Sequence, residues 1–222
     1  MPVHVGTITR ILRSKARRAA VALILVAAAS LPFAGQAAAG SLVEPQPFLA
    51  QYGLVAAEAP VTFVPATQLY DILPGSGPNN GYVRTDGAIF VANDLSSVER
   101  VRVVLHEFLH VVSARTFVNN CSPGDPLTLC DRPWAVIYEE GPVEAVTADL
   151  LPRFWRWHTG KLLRHQRDWW TSLAYQEAQI WRAASALATG QPIKSQEARE
   201  WRAAVLTIPP AERPALLQSV GR

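Results

Sequence analysis

Cysteine is almost absent: Cys121 and Cys130 are the only two among 222 residues. Two thiols cannot build a many-bridged secreted scaffold or a four-cysteine zinc site. The eight residues "SPGDPLTL" between them exclude a CxxC motif as well. Histidine is scarce too, at five, so any imidazole chemistry must come from a few positions. No repeat and no low-complexity segment follows residue 39. Long apolar runs are limited to one, "AAVALILVAAASLPFAG", of 17 residues interrupted by Ser30 and Pro32. That is short for a membrane span of about 20 residues. It lies behind Arg10, Arg13, Lys15, Arg17 and Arg18 and ahead of an Ala37-x-Ala39 pattern, the order of an export signal.

The expectation is therefore a signal peptide over residues 1–39 and a mature chain over 40–222, exported to a periplasmic or extracellular location. An uncleaved anchor is the alternative. No cysteine lies near the cleavage site to carry a lipid. Without the five leader cations, 16 basic residues face 18 acidic ones, a net charge of −2. The basic character of the whole chain thus belongs to the leader, and a nucleic-acid partner is not expected. In an oxidising compartment, Cys121 and Cys130 closing a short turn-rich loop read as a disulfide, against two free thiols.

The mature chain changes period once. Residues 40–60, with Pro45, Pro47 and Pro60, read as an extended lead-in, and "VTFV" (61–64) as a short strand. "LPGSGPNNG" (73–81) is turn-forming. "YVRT" and "AIFVA" flank Asp86-Gly87, a two-residue hairpin signal. "SSVE" then makes a capping box, Ser96 as N-cap and Glu99 three residues later. The helix it opens carries an apolar stripe at Val101, Leu105, Phe108, Leu109 and Val112. From about residue 135 the chain reads as helical, with breaks at Pro152, near Gly160, at Gly190–Pro192 and at Pro209-Pro210. This predicts an α+β fold in a single domain: β-rich over 40–95, site helices over 96–151, and a helical part over 152–222.

Inside the first long helix stands "HEFLH". His106 and His110 are i and i+4, so both imidazoles project from one face at a separation that suits one zinc ion. Glu107 sits beside them, able to act on a metal-bound water as general base without being a ligand. A catalytic zinc takes three protein ligands. The continuation HExxHxxGxxH is excluded, because Ser113 and Thr116 occupy its Gly and third His positions. Downstream, "YEEGPVEAVTADLL" (138–151) sets Glu140, Glu144, Thr147 and Leu151 on one helical face.

HEFLH followed by an E-G-x-x-E helix resembles the gluzincin group of zinc metallopeptidases, over roughly residues 82–151. The resemblance implies a zincin-like fold, a small antiparallel or mixed sheet packed on the HExxH helix. It implies one zinc per chain held by His106, His110 and Glu140, with Glu107 as base. Glu144, one turn after Glu140, matches the acidic residue that orients a ligand histidine from behind. The 29 residues between His110 and Glu140 form a longer spacing than in many members, and the cysteine loop lies within it. Pro142 requires that the second helix begin near Glu139, since proline is tolerated only in a first turn. Glu139 is a rival third ligand, on a stripe with Val143, Val146 and Leu150.

The resemblance also gives "AIFVA" a role as the antiparallel edge strand that pairs with substrate backbone; an ordinary core strand is the other reading. Tyr175 and His158 are the leading candidates for transition-state donor, ahead of Tyr138 and His165. The stretch "RFWRWHTGKLLRHQRDWW" (153–170) could meet an anionic envelope surface, or its Trp rings could fill core while its cations reach water. The expected activity is hydrolysis of peptide or protein substrates. The alternatives are a non-catalytic module binding an envelope polymer or partner, and a zinc hydrolase of non-peptide amides.

Overall fold

Local sequence signals build the first long helix. In a computed structural model of the chain, Ser96 N donates to Glu99 Oε2 at 3.2 Å and Glu99 N donates to Ser96 Oγ at 3.4 Å, the reciprocal capping expected. The structure describes residues 43–55, 59–72, 80–84, 86–117, 136–163 and 173–220. The chain divides between Ala37 and Ala38 into two units, and all the described residues belong to the second.

Its elements are α1 (Gln46–Ala50), β1 (Val61–Val64), α2 (Ala66–Ile72), β2 (Gly81–Val83), β3 (Ile89–Ala92), α3 (Ser97–Phe117), a π-helical turn (Val136–Glu140), α4 (Gly141–Thr159), α5 (Leu173–Thr189), α6 (Gln196–Leu206), a 3₁₀ turn (Pro210–Glu212) and α7 (Arg213–Val220). The fold is mixed α and β, with a three-stranded sheet and seven α-helices among the described residues. Helix dominates. None of these helices is long and apolar enough to cross a membrane.

The sheet has the order β1-β3-β2, with β1 parallel to β3 and β2 antiparallel to it. Two details differ from the sequence reading. The "AIFVA" strand is β3, central and not at an edge. Ile89 pairs with Val61 on one side and Val83 on the other, and Ile89, Val91 and Ala92 are buried. The strand is paired along both edges, with Phe90 half-buried. The hairpin also closes one pair wider than a two-residue turn: Arg84 N donates to Ala88 O at 2.8 Å, with Gly87 at φ +87°. A glycine in this left-handed region ends the three-residue hairpin loop, where a side chain would be strained.

Two further expectations are corrected. Residues 46–50 are helical, not extended, because Pro47 sits in a first turn where its missing N–H costs nothing. Pro152 does not break α4, which runs through it. It lies on the exposed side, so the carbonyl one turn earlier can turn to water. The breaks near Gly160, at Gly190 and at Pro209 stand where expected.

One core joins these layers. Val101, Val104, Leu105, Phe108, Leu109 and Val112 of α3 pack with Ile89 and Val91 of the sheet and with Val143, Val146, Leu150 and Phe154 of α4. Each fully buried side chain of this kind contributes about 1.5–3 kcal/mol. This pairing fixes the polar faces of α3 and α4 toward each other. Along the 153–170 stretch, Trp155 packs on the core, while Trp157 stacks on Phe154 and stays 39% exposed. Arg153 and Arg156 are exposed; residues 164–170 lie outside the described part.

Candidate metal centre

The face of α3 beside its apolar stripe presents Arg102, His106, His110 and Ser113, spaced by one turn each. Facing it, the chain enters α4 through the π-helical turn. Gly141 begins α4 tight against α5: a Cβ there would lie 3.0 Å from both Glu177 Cβ and Trp181 Cδ1. Trp181 Nε1 also donates to Ile137 O at 2.7 Å. The turn that carries Glu139 and Glu140 is thereby pinned against α5.

Three ligand-type atoms converge between these walls. His106 Nε2 and His110 Nε2 are 3.1 Å apart, and Glu140 Oε2 lies 3.3 Å from the first and 3.2 Å from the second. Among the described residues, His106, His110 and Glu140 form a group that could hold a metal ion. The edges fit one. A tetrahedral ion with bonds of about 2.0–2.1 Å separates its ligand atoms by about 3.3–3.4 Å. Glu140 is 38% exposed, so the cluster is open to solvent on its side.

Each imidazole presents Nε2 to the cluster and Nδ1 to a carboxylate behind it. His106 Nδ1 is 3.1 Å from Glu144 Oε2, an ion-pair contact, and 3.4 Å from Thr147 Oγ1. Arg102 Nη2 donates to Glu144 Oε1 at 2.5 Å. His110 Nδ1 is 3.3 Å from Glu139 Oε1, and Glu139 Oε2 accepts from Ser113 Oγ at 2.8 Å and from Arg213 Nη1 at 2.7 Å. Glu139 and Glu140 thus reach opposite sides of the same imidazole. Glu139 has no place in the cluster of three. It is engaged by Arg213.

Electrostatics follow from this packing. Burial opposes charge on His106, but Glu140 and Glu144 outweigh it and raise its pKa to about 9. Burial likewise opposes charge on His110, yet Glu140 and Glu139 hold it well above the usual imidazole range. Against their own burial, Glu140 is held well below the usual carboxylate range by His110 and His106, and Glu144 is lowered by His106 and Arg102. Glu139 is lowered by His110 and Arg213. Glu107 goes the other way: burial raises it, with only 7% of its surface exposed. Such a carboxylate is set up to take a proton. It lies against β2, where a Cβ on Gly81 would fall 2.8 Å from Glu107 Oε1.

Of the other sequence candidates, the structure describes the side chains of His158 and Tyr138. His158 is near the far end of α4, 18 residues beyond Glu140 at its entry, about 27 Å along the axis. Its ring stacks on Phe154, and burial lowers its pKa. Tyr138 packs edge-on to Trp181. Tyr175 belongs to α5, but its side chain is outside the described part, as are His165, Cys121 and Cys130. Sequence reasoning missed Arg102, Ser113, Gly81 and Arg213. Comparison with protein-family models, with curated proteins and with solved structures finds no match to this chain.

Proposed function

We propose that the chain is an exported zinc-dependent peptidase of the gluzincin type, with a zincin-like core. The observation that carries this is the triangle of His106 Nε2, His110 Nε2 and Glu140 Oε2, with edges of 3.1–3.3 Å. Two imidazoles and one carboxylate are the donor set of a catalytic zinc with an open fourth position. When bound, zinc supplies Lewis acidity toward a carbonyl and lowers the pKa of a water to about 7.

The chain's own residues would do the rest. Glu107, outside the triangle and raised by burial, would accept the proton of the attacking water and return it to the leaving amine. Glu144 and Glu139 would hold the two imidazoles in the tautomer that leaves Nε2 free for the metal. The central position of β3 moves the expected substrate-pairing strand to β2, the antiparallel edge, which packs on α3 beside Glu107. An extended peptide along that edge would place its backbone near the base. A binding module would have no use for a buried, raised Glu107, which favours the enzyme over that alternative.

The test is reconstitution of the mature chain with zinc, followed by elemental analysis and assay on a mixed quenched-fluorescence peptide library. One zinc per chain and chelator-sensitive cleavage are expected. Less than about 0.2 equivalents would sink the ligand assignment. Glu140→Ala should release the metal; release by Glu139→Ala alone would exchange the roles of the two glutamates.

A further inference from the structure

Arg213 is the least expected residue at this centre. It opens the last helix of the chain, and none of its surface is exposed. Burying a guanidinium is costly unless its donors are met. Here they are met by five acceptors. Nη1 donates to Glu139 Oε2 at 2.7 Å and to Tyr138 O at 2.6 Å. Nη2 donates to Ser113 Oγ at 2.7 Å and to Leu206 O at 3.3 Å, and Nε to Ile208 O at 3.2 Å. Ser113 Oγ in turn donates a hydrogen bond to the same Oε2 of Glu139. One oxygen of Glu139 is therefore fixed by two donors, which leaves the other, Oε1, facing His110 Nδ1 at 3.3 Å.

The two histidine arms are built alike but anchored differently. His106 is backed by Glu144 and Arg102, and Arg102 comes from α3 itself, one turn before the histidine. His110 is backed by Glu139 and Arg213, and Arg213 lies 74 residues beyond that glutamate. We infer that Arg213 is a positioning residue for the metal centre: by holding Glu139 against Nδ1 of His110 it fixes the tautomer and aim of that ligand, so the last helix of the chain takes part in metal binding. The inference rests on the proposed zinc site and extends it to a part of the chain outside the motif.

The experiment measures zinc affinity of the full mature chain by competition with a chelator, on variants whose folding is checked by circular dichroism. Loss of a partner behind a metal-binding histidine typically weakens affinity about 10–100-fold. That loss is expected for Glu139→Gln and Arg213→Met, with partial recovery in Arg213→Lys, which keeps the charge but not the fork. The double variant Glu139→Gln/Arg213→Met should be no weaker than either single one, because both break the same arm. Cobalt in place of zinc gives a second readout, a shifted visible absorption band in each arm variant. Arg202 supplies the control. It is equally buried and pairs with Asp149 and Ser185, away from the histidines. Arg202→Met should lower stability and leave zinc affinity unchanged.

Should Arg213→Met not fold, Glu139→Gln and Arg213→Lys decide the matter. Wild-type affinity and an unshifted cobalt band in folded Glu139→Gln and Arg213→Lys would overturn the role of Arg213 while the zinc centre stands. Absence of zinc binding by the wild-type chain would overturn the centre itself, and this inference with it.

Discussion

Replacing Gly81 by alanine tests the packing of β2 on the base. The added Cβ would overlap Val103 Cγ1 and fall 2.8 Å from Glu107 Oε1 and 3.0 Å from its Cγ. Non-bonded carbons settle at about 3.5–4.0 Å, so Glu107 must recede by about 0.5–1 Å. Val103 gives way less readily, because it is buried and β-branched. Overpacking of this kind costs about 1–3 kcal/mol. Against it stands a gain of about 0.4–1 kcal/mol from the stiffer unfolded chain. The net loss corresponds to a fall in Tm of several degrees, at about 2–4 °C per kcal/mol for a unit of this size. Displacement of a reacting group by about 1 Å can cost on the order of 10²-fold in rate. Zinc should stay, since Glu107 is not one of the three converging groups. Thermal melts, zinc content and peptide turnover would be measured side by side. A Tm above wild type would refute the close approach, and zinc-loaded turnover within about twofold would refute the placement of the base.

Glu107→Gln should retain zinc and lose hydrolysis by at least about 10²-fold; loss of the metal instead would make Glu107 a ligand. Glu144→Gln keeps shape but not charge, and should weaken zinc by about 10–100-fold in a chelator competition; identical release curves would contradict its contact with His106. Without metal, the raised pKa values of His106 and His110 set the pH profile together, and that of His106 gives the interval. The contribution of His106 to stability is full below about 6.5, the unfolded value, and is lost as pH rises through about 9. The total is on the order of 3 kcal/mol. The lowered carboxylates Glu139, Glu140 and Glu144 act on the acid side, losing their contribution as pH falls below about 4.5. Urea melts in chelator between pH 6 and 9 should therefore show falling stability, and a flat profile would contradict the histidine–carboxylate contacts. Added zinc needs neutral imidazoles, so its stabilisation should grow over the same interval.

What could be read from sequence here was what repeats at short range. The Ser96–Glu99 cap, the i, i+4 histidines and the Glu140/Glu144 pair are all set by helical period, and the structure brings the last four together. Arg102 and Ser113 were within the same reach. They continue the His106/His110 stripe by one turn each way, but neither is apolar and neither belongs to the motif. The strand order was not legible. β3 is central because β1 joins it in parallel across α2, a pairing with no local signature. Pro152 misled because a rule about helix interiors ignores which face meets water. Gly81 and Arg213 act only across tertiary contacts, and nothing in "NNGY" or "AERP" announces them.

The bond from Arg213 to Ser113 closes a loop of 100 residues. Chain entropy opposes such closures until other contacts have shortened the path. The α3–α4 pair, joined by nearer neighbours, can gather His106, Glu140 and Glu144 before the last helix docks. On this argument the support of His110 by Glu139 and Arg213 is expected to close last. Substitutions at Arg213 should speed unfolding more than they slow folding, the mark of contacts made after the barrier. The three converging groups, all on α3 and the turn before α4, would accordingly be assembled while the support behind His110 still waited for the final helix. The strength of metal binding, and not capture itself, would then report on completion of the fold.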